Sequence, residues 1–211
     1  MKKLLFITFI LFIPNLLCAL ELRGTFNQGS LIIGKTTPNS KVFIDNNKVK
    51  VSELGFFVFG LNKDRKKDVL IQTIKNNVSK KIIKKVYKKK YKIQKIDGLP
   101  KKQVTPPEEL YERIKDDNKL IGDARAINTN LNFFTKKFKI PIENGIITGV
   151  YGSQRILNGI PKSPHYGLDF AAKEGTEIKA MIDGVVTLSE DDLYYTGGTI
   201  IFDHGHGIST L

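Results

Sequence analysis

The segment "FDHGHGISTL" places His204 and His206 one residue apart, and "SPHYGLDFAA" places His165 four residues before Asp169. These are the only three histidines of the chain, so any imidazole chemistry rests on them. An imidazole beside a carboxylate is a zinc-ligand pair in chemical type. Geometry constrains it: along a regular strand, four residues at ~3.3 Å each stand roughly 13 Å apart. Two donors each about 2 Å from one metal ion lie within about 4 Å of each other. A His165–Asp169 site therefore requires a bend, and Gly167 is the residue that permits one. The same residues also fit a short helix, with Ser163 as N-cap, Pro164 in the first turn and Gly175 past the end. For the terminal pair, "TIIFD" alternates like a strand, and Gly205 and Gly207 supply the positive backbone angles of a hairpin turn. Arg155 is a candidate for substrate contact or for pairing with a nearby carboxylate.

The elements that must position these side chains are mostly strands. From Leu20 to about Ile96, β-branched and aromatic runs ("SLIIGKT", "KVFIDN", "GFFVFG", "DVLIQTI") alternate with Gly, Asn and Pro, a pattern of short strands that predicts a small β-sandwich over residues 20–97. Residues 98–135 form a linker and helix: "LPKKQVTPPEE" carries two consecutive prolines and then acids suited to a helix start. Leu110, Ile114 and Ile121 stand near helical spacing, so a helix is expected from about Glu108 to Asn128. Residues 136–211 return to strands and glycines. The fold class is mainly β, with no internal repeat.

Residues 1–19 have the pattern of a secretory signal. Lys2 and Lys3 precede an apolar run from Leu4 to Leu17, which is short for a membrane span, and Ala19 provides a small residue for cleavage. An uncleaved anchor is the alternative. Cys18 is a poor lipidation site, since Asn15 stands where a small apolar residue is expected. It is also the single cysteine, so an exported chain has no internal disulfide. The formal net charge is +13, or +11 once Lys2 and Lys3 leave with the signal. That surface favours an anionic wall polymer or membrane surface, and export removes nucleic acid as a partner. The densest stretch, "KKIIKKVYKKKYKIQK" from Lys80 to Lys95, fits a strand or a helix equally by its apolar spacing. A lysine-rich edge strand, which resists pairing with other molecules, is its plainest explanation.

From Gly149 the chain runs "GVYGSQRILNGIPKSPHYGLDFAAKEGTEIKAMIDGVVTLSEDDLYYTGGTIIFDHGHGISTL". In order it presents "G-x-x-R-x-x-N-G-x-P", "H-x-G-x-D", "A-x-x-G-T-x-I-x-A", "D-G-V-V" and a strand ending "DHG-x-G". This succession resembles the first part of the lysostaphin-type, LytM-like zinc metalloendopeptidase domain, which cleaves peptide bridges of bacterial peptidoglycan. "GKTTPNSKVFIDN" and "GFFVFGLNKD" are similar to the β-rich region ahead of that domain in exported Gram-negative members. The resemblance implies that His165 and Asp169 are two of three protein ligands to zinc, and that "DHG-x-G" is a strand end and hairpin turn. It implies further that the catalytic histidine and the third ligand come after Leu211, so that the C-terminal domain is an incomplete antiparallel β unit, inactive as it stands. Two functions follow as expectations: an exported zinc endopeptidase acting on peptidoglycan peptides, or a non-catalytic wall-binding or regulatory module of the same family.

Overall fold

The computed structural model describes residues 20–211, and the expected signal segment, residues 1–19, lies outside the described residues. The N-terminal half forms two sheets. β1 (Glu21–Arg23), β2 (Leu31–Lys35) and β5 (Phe56–Gly60) pair antiparallel in the order β1-β2-β5. β3 (Lys41–Ile44), β4 (Asn47–Val49), β6 (Val69–Lys75) and β7 (Val78–Lys84) pair antiparallel in the order β4-β3-β6-β7. Alternate residues face inward, as period-two strands require. Ile32, Phe57 and Phe59 from the first sheet meet Val42, Ile44, Val69 and Ile71 from the second in one core. The β3–β4 turn at Asp45–Asn46 and the β6–β7 turn at Asn76–Asn77 hold both central residues at positive φ, which asparagine and aspartate tolerate best among residues with side chains. Gly34 sits opposite Phe57, and a Cβ there would lie 2.0 Å from the Phe57 ring. The missing side chain is thus what lets that ring lie flat on the strand.

The Lys80–Lys95 stretch begins as β7, an edge strand fully paired with β6, so its helical alternative is excluded. Ile82 and Val86 lean on the core, whereas the Ile83 and Tyr87 positions of the helical stripe are exposed. The chain then forms β8 (Ile93–Ile96), which leaves the sandwich altogether. β8 pairs parallel with β10 (Gln154–Leu157), and β10 pairs antiparallel with β11 (Ile160–Pro161) on its other side. The end of the sandwich segment is therefore stitched to the segment that precedes His165.

After a short helix α1 (Lys101–Val104) and the paired prolines, a 3-10 turn (Glu108–Leu110) leads into α2 (Tyr111–Ala126). Glu108, Glu109 and Glu112 crowd the positive end of the helix dipole and Arg125 its last turn. The apolar stripe is only partly used, since Ala124 is the one buried residue of α2. Ile114 and Ile121 are partly buried, and polar contacts join the helix to the hairpin of β13 (Val185–Leu193) and β14 (Gly197–Asp203). Arg113 reaches the Asp192 carboxylate at 2.8 Å, and the Tyr194 N–H donates to Asp117 at 2.7 Å. The C-terminal sheets are β13-β14-β15, with β15 at Ser209–Thr210, and the two-stranded pair of β9 (Ile146–Gly149) and β12 (Asp169–Ala171). The molecule is mainly β, as its strand-like text implies.

Phe57 is fully buried and stacks on Phe59 at 6.3 Å. Phe57→Ala should lower the stability of the sandwich by about 3–5 kcal/mol, through lost burial and the cavity left behind. Urea unfolding of the two chains is the check, and equal midpoints would contradict this core assignment.

Candidate functional site

His165 lies in an irregular, extended segment and not in a helix, so the N-cap alternative for Ser163 fails. Its backbone is strapped to the turn before β10. The His165 N–H donates to the Ser153 carbonyl at 2.8 Å, and the Gly152 N–H donates to the His165 carbonyl at 2.7 Å. That turn is itself clamped from the N-terminal half. Tyr91 lies against Gly152, where a Cβ would be 2.1 Å from the ring, and its hydroxyl donates to the Gln28 carbonyl at 3.1 Å. The Tyr151 ring in turn fills the space left open at Gly29.

Asp169 opens β12, directly across from Gly149, with a register shift immediately after it. A side chain at position 149 would place its Cβ 2.2 Å from Asp169 Oδ2, so the carboxylate occupies the space that glycine leaves. Arg155, on β10, donates from Nη2 to Oδ2 at 2.8 Å. The other oxygen, Oδ1, is 3.0 Å from His165 Nε2. That contact lacks the alignment of a hydrogen bond, and Nε2 is a buried polar nitrogen with no hydrogen-bond partner. The two donors are therefore within the ~4 Å that a shared metal ion demands. The bend between them does not use a positive φ at Gly167. Gly167 matters through space, since a Cβ there would lie 3.3 Å from His165 Cε1. Of the two roles open to Arg155, its geometry is that of pairing with a nearby carboxylate.

The terminal histidines are built differently. His204 is fully buried. Its Nδ1 is 2.8 Å from the Asp183 carbonyl and so acts as the donor, which leaves Nε2 to accept from the Thr210 hydroxyl at 2.8 Å. The ring also fills the space above Gly184, where a Cβ would be 2.8 Å from Nδ1. Asp203 closes the turn by accepting from the Gly205 N–H and the Thr129 hydroxyl. Gly205, His206 and Gly207 all have positive φ, as the hairpin expectation requires. His206 leans on Phe134 at 4.9 Å between ring centres, and its N–H donates to the Thr129 carbonyl. Among the described residues, no three His, Cys, Asp or Glu side chains converge, so neither terminal histidine joins His165 and Asp169. The glycines at 149, 152 and 184 carry the site and the hairpin lock but were not singled out from sequence.

Burial, followed by the charge of Lys50, holds the His206 imidazole below its ordinary pKa. A depressed folded value means that the unfolded chain takes up the proton first. The associated stability is present above the ordinary value of ~6.5 and is lost as pH falls from there through the folded value. His206→Asn keeps a residue tolerant of positive φ and removes the titration. Urea midpoints at neutral and mildly acid pH should converge more in the variant than in the wild type, and an unchanged pH dependence would contradict this origin.

No curated protein matches the chain. Over residues 163–211, the stretch that contains the His165–Asp169 pair and the whole "DHGHG" hairpin, the sequence matches the model described as Peptidase family M23, in agreement with a LytM-type relationship.

Proposed function

We propose that the protein is an exported zinc metalloendopeptidase that hydrolyses peptide bonds in peptidoglycan cross-links, with His165 Nε2 and Asp169 Oδ1 as two protein ligands of the metal. The observation that carries this reading is the convergence of a buried, unpartnered imidazole nitrogen on a carboxylate oxygen 3.0 Å away, inside the stretch that matches a peptidase family. These donors are of the type and separation that zinc accepts, and the resemblance assigns the third ligand and the proton-handling histidines to segments after the "DHG-x-G" strand. Bound there, zinc would lower the pKa of a water towards ~7 and polarise the scissile carbonyl.

The chain's own residues prepare that chemistry. Arg155 occupies Oδ2 of Asp169, so the carboxylate presents Oδ1 alone. Gly149 lets the carboxylate lie close over the neighbouring strand, and the Gly152–His165–Ser153 backbone bonds set the height of the imidazole. Tyr166 follows His165 directly, is largely exposed, and meets Tyr151 edge-on at 6.1 Å between ring centres. That pair forms an apolar shoulder beside the ligands on which a substrate backbone can rest.

Partners that orient metal ligands are worth ~10–100-fold in metal affinity. Arg155→Ala should weaken zinc binding within that range in calorimetric titration, while His165→Ala and Asp169→Ala should weaken it further and His204→Ala should act only on stability. Zinc bound equally well by wild type and Asp169→Ala would contradict the assignment. For function, a chain that carries those further segments should release peptides bearing new amino termini from purified cross-linked peptidoglycan. Chelators and Asp169→Ala should abolish the release. Tight wall binding with no new amino termini would point instead to the non-catalytic module.

A further inference from the structure

The four-stranded sheet has an outer face that nothing in the described chain covers. Val42, Ile44, Val69, Ile71 and Ile82 point into the core, so Phe43, Leu70, Gln72, Ile74, Lys81 and Ile83 point away from it. The register places Lys48, Phe43, Gln72 and Lys81 in one continuous row across all four strands. A second row pairs Ile83 with Leu70, and a third runs from Ser79 through Ile74 to Lys41. Phe43, Leu70 and Ile74 are half-buried in the middle of this face, whereas Ile83 keeps 70% of its surface in solvent. Lys41, Lys48 and Lys81 stand exposed around them.

The charge on and beside this face is of one sign. Nine of the sixteen residues from Lys80 to Lys95 are lysine, and no Asp or Glu occurs between Asp68 and Asp97. All nine are exposed, and none takes part in an ion pair among the described residues. The acids that follow β3 and precede β6 are already engaged. Asp45 is held bidentate by Arg65 at 2.7 and 3.1 Å, and Asp68 accepts the Val86 N–H. Protection of an edge strand accounts for lysines on β7. On the opposite edge strand β4 it accounts for Lys48 as well, but it does not account for Lys41 on the interior strand β3, nor for apolar side chains at the centre of a basic rim.

We infer that the outer face of the β4-β3-β6-β7 sheet docks on an anionic lipid surface, with Lys41, Lys48 and Lys81 on headgroup phosphates and Ile83 with its apolar neighbours at the acyl boundary. Basic residues near an anionic leaflet attract it additively and within a Debye length, and apolar side chains add what a purely charged surface lacks. A soluble polyanion satisfies the lysines but gives Ile83 and Leu70 no partner, which favours a membrane over a nucleic acid or a phosphate polymer. The inference is independent of the proposed peptidase activity.

The test is co-sedimentation of the full chain with vesicles of phosphatidylglycerol mixed into phosphatidylcholine, and of phosphatidylcholine alone. The N-terminal apolar run is common to every arm, so differences between variants report the sheet face. Binding should require phosphatidylglycerol and fall as salt is raised to about 1 M. Lys41→Glu/Lys48→Glu/Lys81→Glu should weaken it by about tenfold or more. Ile83→Asn, which removes the apolar side chain without adding charge, should weaken vesicle binding as well, while leaving retention on immobilised polyphosphate unchanged. All four positions are exposed, and circular dichroism verifies the fold; should the charge-reversed chain misfold, Lys→Gln at the same positions gives the same comparison with a smaller loss. Equal sedimentation with both vesicle types, an unaffected lysine variant, or an Ile83→Asn variant that binds vesicles like wild type would each overturn the inference.

Discussion

The carboxylate of Asp169 lies where Gly149 has no side chain, and the arrangement of the C-terminal half around residue 165 depends on that close approach. It allows β12 to pair with β9 while the carboxylate stays beside the sheet, where Arg155 takes one oxygen and His165 faces the other. A methyl group at position 149 would collide with Oδ2, and moving the carboxylate would release Arg155 together with the bend through Gly167. The charge pair is partly exposed, so its contribution to stability is modest. Its value is directional: one guanidinium fixes which oxygen remains available.

A second polar lock stands apart from this pair and shapes the hairpin at residues 203–209. His204 spends both ring nitrogens on the Asp183 carbonyl and the Thr210 hydroxyl, and Asp203 closes the turn below it. A buried imidazole with both nitrogens engaged has no lone pair to offer a metal ion. His165 is the opposite case, a buried nitrogen with a carboxylate close by and no hydrogen bond made. Residue type alone does not distinguish the three histidines; their hydrogen bonds do.

Much of the architecture was legible because it depends on local chemistry. Asparagine at Asn46, Asn76 and Asn77 marks tight turns through its tolerance of positive φ, and Gly205 and Gly207 marked the terminal hairpin in the same way. The helix after the paired prolines lies where its acids and apolar spacing placed it, ending at Ala126 where Asn128 was expected. What stayed hidden was long-range. The apolar spacing from Lys80 to Lys95 admits a strand or a helix and names no partner, yet β8 at its end pairs parallel with a strand more than fifty residues later. Gly149, Gly152 and Gly184 give no local sign that a distant carboxylate, phenol or imidazole fills their space. The apolar stripe of α2 is only partly buried, and Arg113 and Asp117 add polar contacts to the hairpin that spacing does not reveal.

The three histidines also give the most direct measurement of the central claim. Each has a different hydrogen-bond environment, so nitrogen-15 labelling of histidine side chains resolves six ring nitrogens for comparison. On addition of zinc, the Nε2 resonance of His165 should move with saturation while both His204 nitrogens keep their positions, and the movement should vanish in Asp169→Ala. A His165 signal that ignores zinc while His204 or His206 responds would contradict the assignment of the metal site to residues 165 and 169.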